Sequence, residues 1–226
     1  MAKHINSTFT LLSKDVAQTR QPYEKAMKKL SEFFGIEWTQ NRPKVFLVAN
    51  KKTMKDLRDG KVASWVQGWR DSKAFSVYVL DTKKGKKRSK IDYYLSGLLH
   101  EIAHLFFLKL AKVDEPRPIW LWEGVSLFLD GHTKQSKWNP NIPPKKFEGF
   151  LKYYDKHKLL GKEQEQGVYR ESGFAVEFLI KNFGKKKLFD LIKSLKDTKT
   201  KAEFAKKFKK IYGFELNYNN FNSKLE

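Results

Sequence analysis

Two histidines four residues apart, with a glutamate beside the first, carry the chemistry this chain could do. They stand in His100-Glu101-Ile102-Ala103-His104, inside an apolar run from Tyr93 to Leu110. The run holds no proline and a single glycine, Gly97. It therefore reads as a helix, with Asp92 before it as N-cap. Residues i and i+4 of a helix lie on one face. His100 and His104 would offer two imidazoles to one ion, at a span suited to tetrahedral Zn²⁺. Glu101 sits about 100° round the helix from His100. It is off the ligand face, yet near enough to reach a water held on the metal.

A catalytic zinc takes three protein ligands and keeps one position open. The candidate third ligand is Glu123, in Trp120-Leu121-Trp122-Glu123-Gly124, with eighteen residues between it and His104. That interval holds a helix end, a turn at Asp114-Glu115-Pro116-Arg117-Pro118 and the start of a second helix. Pro118 suits the first helical position and Gly131 suits the stop. Two helices joined in this way pack together, so Glu123 can face the two histidines.

With those residues in view, the chain resembles the gluzincins, the thermolysin-like and aminopeptidase N-like zinc metallopeptidases. The likeness is greatest to the small single-domain members, whose second motif reads W-x-x-E-G. It runs over roughly residues 90–195. It implies a zinc-dependent peptidase, with His100, His104 and Glu123 on the metal and Glu101 as general base. Tyr169, in Tyr169-Arg170-Glu171-Ser172-Gly173-Phe174-Ala175, is similar to the family's segment whose tyrosine stabilises the oxyanion. The chain departs from the pattern at one point. Thermolysin-like enzymes often carry an Asp four residues after the third ligand, and Leu127 stands there. Ser126 or Asp130 is then the candidate to orient a ligand histidine from behind. No G-x-M-x-N-like segment for holding a substrate N-terminus is present, which favours endopeptidase action or a dedicated substrate.

Composition sets the frame for this chemistry. The chain has 226 residues, no cysteine and a net charge of +21. Without cysteine, disulfide stapling and thiolate-bound zinc are excluded, and a reducing compartment fits. No apolar signal segment opens the sequence and no run of eighteen apolar residues exists, so the expectation is a cytoplasmic protein with no membrane span. Seven of the 46 basic residues are arginine. A lysine-dominated excess gives a diffuse field that draws polyanions and acidic peptides; base-edge readout favours arginine. The expected partner is accordingly a peptide or protein substrate, acidic ones being favoured by the field. Two other readings compete: a catalytically silent gluzincin-like binding module, and a nucleic-acid-associated protease using the basic surface. Proteases of the latter kind resemble HExxH with a third histidine close behind, and this chain offers none after His104.

The elements that must position these residues follow from periodicity. A helix is expected over 22–34, with Pro22 at its start and Gly35 at its end, and a buried strand over 44–49. A short helix follows over 52–58. Residues 62–69 and 73–80 read as two antiparallel strands around a turn at Arg70-Asp71-Ser72. In the gluzincins such a sheet roofs the site, and its edge strand pairs with extended substrate; the second strand of the hairpin is the expected edge. Lys83-Lys84-Gly85-Lys86-Lys87-Arg88-Ser89-Lys90 reads as a solvated loop, and His132 to Pro144 as a second loop with His132 at the surface. Helices are expected over 147–160, 171–183, 186–195 and 202–212, with a polar connection at 161–167. The fold class is α+β: a small twisted mixed sheet packed on the HExxH helix, then a mostly helical C-terminal part. The organisation expected is 1–90 as an α/β part, 91–131 as a zinc-binding helix pair and 132–226 as a helical part, within one compact domain.

Overall fold

Val77 and Val79 alternate with Tyr78, and that period of two makes a strand with one buried face. In the computed structural model, which describes residues 16–58, 68–80, 90–133, 144–155 and 162–225, this strand is the middle of a three-stranded mixed sheet. Strands β1 (Lys44–Val48), β2 (Gly68–Asp71) and β3 (Ser76–Leu80) lie in the order β1-β3-β2. β1 runs parallel to β3 and β2 antiparallel to it. Val77 and Val79 point inward, 0% and 4% exposed. On the other face, Tyr78 stacks between Phe46 and Trp69, at centroid distances of 4.9 and 4.4 Å. These three residues share one register across the strands, so the rings form a cross-strand ladder of the kind that stabilises sheets.

Three details correct the sequence reading. The hairpin's second strand, expected at the edge, is central, because β1 pairs with its other side. β2 is an edge among the described residues. Arg70 and Asp71, expected in the turn, end β2, and the turn falls at 72–75. There Asp71 Oδ1 accepts the N–H groups of Lys73 and Ala74, at 3.0 and 3.1 Å, and Phe75 takes a φ of 47°. Most of the first expected strand lies outside the described residues.

The chain divides into two compact units, Met1–Leu105 and Phe106–Glu226. In the first, helix α1 (Val16–Phe34) buries Ala26, Met27, Leu30 and Phe34, at helical spacing. Pro22, expected at its start, lies inside it. In the second turn of a helix a proline removes one backbone bond and crowds the carbonyl four residues before it, which weakens the helix locally. Helix α2 (Lys51–Leu57) is capped by Asn50, whose side chain accepts from Thr53 N. Helix α3 (Lys90–Ala111) carries the histidine pair. It begins two residues before Asp92, which is thus within its first turn and not the cap. α3 packs on the sheet at Gly97, where a Cβ would be in ordinary contact with Val79, at 3.6 Å.

The second unit is helical. Helix α4 (Ile119–Asp130) starts after Pro118, which stands at the N-cap and not at the first helical position. Gly131 ends it in the left-handed region, at φ 90°. Helix α5 (Lys162–Ser194) breaks at Gly184 (φ 82°, ψ 154°), where the sequence places one helix end. Helix α6 (Lys201–Tyr212) has a Thr200/Glu203 capping box and a Gly213 stop, and α7 (Tyr218–Asn222) follows. Ring contacts such as Trp120–Phe150 (4.9 Å) and Phe150–Phe221 (5.0 Å) tie these elements into one core.

Two expectations here need correction. The described part of the 147–160 helix holds a single 3-10 turn, Phe150–Lys152. Phe150 N–H goes to Glu171, Leu151 N–H to the Tyr218 hydroxyl, and the N–H groups of Lys152 and Tyr153 close i→i−3 bonds to Gly149 and Phe150, the pattern of a 3-10 turn and not of an α-helix. The polar connection at 161–167 is instead the start of α5; Glu163, Gln164, Glu165 and Gln166 are good helix formers and carry the helix through Gly167. The mixed α+β architecture itself is as expected. No helix among the described residues is long and apolar enough to cross a membrane. Residues 83–89 of the basic run and 134–143 of the second loop lie outside the described residues.

Candidate metal centre

The HExxH spacing does on α3 what a 3.6-residue helix requires. His100 and His104 stand one turn apart with their Nε2 atoms 3.2 Å from each other and their rings perpendicular, at 88°. Ligands about 2.0–2.1 Å from a tetrahedral ion lie about 3.3–3.4 Å apart, so the imidazole pair already has the edge length of such a site. His104 is buried at 1% exposed, and His100 is half-buried. Glu123 joins them. Donor atoms of His100, His104 and Glu123 lie within 4.8 Å of one another, and the three could hold a metal ion. Two neutral imidazoles and a carboxylate make a donor set of the right hardness and charge for Zn²⁺.

Glu123 is set by its own surroundings. It sits one turn into α4, and Tyr169 on α5 donates its hydroxyl to Glu123 Oε2 at 2.7 Å. Gly124 explains how the two helices come so close. A Cβ at Gly124 would overlap the carbonyl oxygen of Ser172 and lie 2.8 Å from Val176 Cγ2. A Cβ at Gly173 would meet Leu127 Cβ at 3.0 Å. The glycines of the W-E-G and Tyr-x-x-x-Gly segments thus let α4 and α5 touch along their backbones, and that contact carries Tyr169 to Glu123.

Glu101 is buried, 8% exposed. It points towards β2, where Arg70 Nη1 lies 3.7 Å from its Oε2. Gly68, on the same strand, leaves the room: a Cβ there would come within 3.2 Å of Glu101 Cγ and 3.3 Å of Oε1. The carboxylate next to the histidine pair is therefore walled by a glycine and faced by a guanidinium.

The two candidates for orienting a ligand histidine have these partners. Ser126 is fully buried and its hydroxyl donates to Trp122 O at 3.3 Å, a back-bond within α4. Asp130 Oδ1 accepts the backbone N–H of His132 at 2.9 Å and lies 2.5 Å from its Nδ1. His132 is exposed, as the sequence reading expects.

Two residues near this chemistry escape the sequence reading. Arg70 is one. Its signal would have been its rarity in a lysine-rich chain together with a strand that ends two residues later than expected. Glu171 is the other. This 8%-exposed carboxylate accepts the backbone N–H groups of Glu148 (2.5 Å), Gly149 (2.6 Å) and Phe150. Burial pushes its pKa up, and those three bonds pull it partly back. The turn it holds continues to Tyr153 and Tyr154, whose carbonyls accept the N–H groups of Trp120 and Ile119 at 2.8 and 3.0 Å. Those are orphan donors of the first turn of α4. Glu171 thus fixes, through the 148–154 segment, the end of α4 that bears Glu123. No local pattern could have found it, because its partners are backbone groups more than twenty residues away. Comparison of the chain with protein-family models, with curated proteins and with solved structures finds no match.

Proposed function

We propose that the chain is a zinc-dependent peptidase of the gluzincin type, with His100, His104 and Glu123 as metal ligands and Glu101 as general base. The observation that carries this reading is the approach of two imidazoles and one carboxylate to within 4.8 Å, with a second, buried carboxylate adjacent in sequence. A bound Zn²⁺ supplies a water acidified towards neutrality and a Lewis acid for the scissile carbonyl.

The rest is work for side chains. Glu101 takes the proton of the attacking water and passes it to the leaving amine. Its burial keeps bulk water from competing for that proton. Tyr169, whose single hydroxyl proton goes to Glu123, would turn that proton towards a carbonyl oxygen as it gains negative charge. Extended substrate would lie along β2, an edge among the described residues and next to Glu101, and not along β3. The lysine-rich surface draws acidic peptides towards it.

Metal analysis and unbiased peptide-library cleavage test the reading together. Wild type should hold one zinc per chain and cleave peptides until chelator is added. His100→Ala and Glu123→Ala should lose the metal. Glu101→Gln should keep it and lose hydrolysis; full hydrolysis by Glu101→Gln would remove Glu101 from the base role.

A further inference from the structure

A cation on the inner face of a sheet is an anomaly. Arg70 pairs in register with Val77, which is 0% exposed, and Gly68 pairs with Val79, which is 4% exposed. Arg70 and Gly68 therefore share the buried face of β2. The Arg70 side chain is 17% exposed and the Glu101 side chain 10%. Taking both charges out of water is expensive, and an apolar pair would serve packing as well or better. What the ion pair supplies that an apolar pair does not is orientation.

We propose that Arg70, with Gly68 beside it, is a positioning residue for Glu101: β2 aims the carboxylate that receives the water's proton. The inference rests on the reading of Glu101 as general base. A glutamate has three rotatable side-chain bonds, and a base held loosely loses rate; a misplacement of 1 Å is enough to lower it about 10²-fold. Gly68 defines one wall: a Cβ there would meet Tyr78 O at 2.9 Å and would press on Glu101 Cγ and Oε1 as well. Arg70 defines the other through its charge at 3.7 Å. The two residues sit two apart on one strand, so the sheet presents both to the same side chain. The same strand that would align an extended substrate thus also sets the base, which ties the register of the peptide to the direction of proton transfer.

The test is a double-mutant cycle on the zinc-loaded full chain, with Arg70→Ala and Glu101→Gln, read both as hydrolysis and as thermal melting. Arg70→Ala should lower kcat by about 10–10²-fold with KM and zinc content unchanged. In the Glu101→Gln background the same substitution should change residual hydrolysis by less than about 2-fold, since there is no carboxylate left to aim. Arg70→Lys, which keeps the cation, should recover part of the loss, and it also serves if Arg70→Ala does not fold. An equal loss of kcat in both backgrounds would mean a merely structural role and overturn the proposal. So would a gain in kcat on removing Arg70, which would mean the guanidinium holds the base back. Should wild type cleave nothing, the peptidase reading is what has failed. The melting cycle still reads the pair then: non-additive shifts support the pairing, and additive shifts refute it.

Discussion

The Tyr169 hydroxyl sits 2.7 Å from Glu123 Oε2 and donates to it, so the third candidate ligand is held in place from the neighbouring helix. Partners of this kind fix a ligand's orientation, and losing one typically weakens metal binding about 10–100-fold. Tyr169→Phe removes only the hydroxyl. It should raise the zinc Kd by about tenfold in a competitive chelator titration. At saturating zinc it should still lower kcat, by about 10²-fold, if the same hydroxyl serves the developing oxyanion. A weaker Kd with unchanged kcat would confine Tyr169 to holding Glu123.

Zinc should stabilise the fold in proportion to how well the three candidate ligands converge. A ligand that binds only the folded state adds about 2.7 kcal/mol at a hundred times its Kd. Wild type should therefore melt several degrees higher with zinc than with chelator. His104→Ala should erase that difference. His104 is buried, so this variant should also melt somewhat lower than wild type in chelator. An undiminished zinc shift in His104→Ala would place the metal elsewhere.

Glu171 should leave a mark on the pH dependence of stability. Its folded pKa is raised above 4.5, mainly by burial. The folded state therefore binds this proton more tightly than the unfolded chain does. Stability from this group is fully present below the unfolded pKa and is lost as pH rises through the raised folded pKa. Glu171→Gln cannot titrate and should lack that fall. It also swaps one acceptor oxygen for an amide group facing backbone donors, and should be destabilised by about 1–3 kcal/mol at low pH. Urea midpoints across pH 4–7 check both: the gap between wild type and variant should narrow as pH rises. A gap that widens would reverse the assigned direction.

The grouping of His100, His104 and Glu123 is legible in the sequence because its information is local. An i, i+4 histidine pair needs only a helix, and Glu123 needs only a second helix bounded by Pro118 and Gly131. Neither depends on distant strands. The sheet was less legible for the opposite reason. β1 reaches β3 by parallel pairing across a separation of about thirty residues, and no alternation within β3 says which of its sides is taken. The alternation alone therefore points to β3 as an edge, whereas among the described residues β2 is one. Shifting the end of β2 by two residues moved Arg70 from a turn to the inner face, beside Glu101. Glu171 looked like one more charge on an amphipathic helix, because its backbone partners carry no sequence signature.

Gly124 gives the sharpest check on how α4 and α5 support the site. A methyl group there would overlap Ser172 O and crowd Val176 Cγ2, and backbone cannot step aside as a flexible side chain can. Gly124→Ala gains up to about 1 kcal/mol of helix propensity, yet overpacking at a backbone contact costs about 1–3 kcal/mol. The net should be destabilisation, read as a lower urea midpoint. More telling is the metal: pushing α4 away from α5 lengthens the Tyr169–Glu123 bond, so the zinc Kd should rise by about tenfold, as in Tyr169→Phe. Gly213→Ala is the control. Gly213 ends α6 at φ 82° with nothing within 4 Å of an added Cβ, so it should lose about 1 kcal/mol by backbone strain alone. Its zinc Kd should not move. Equal zinc affinity in all three variants would show that the α4–α5 contact stabilises the fold without setting Glu123.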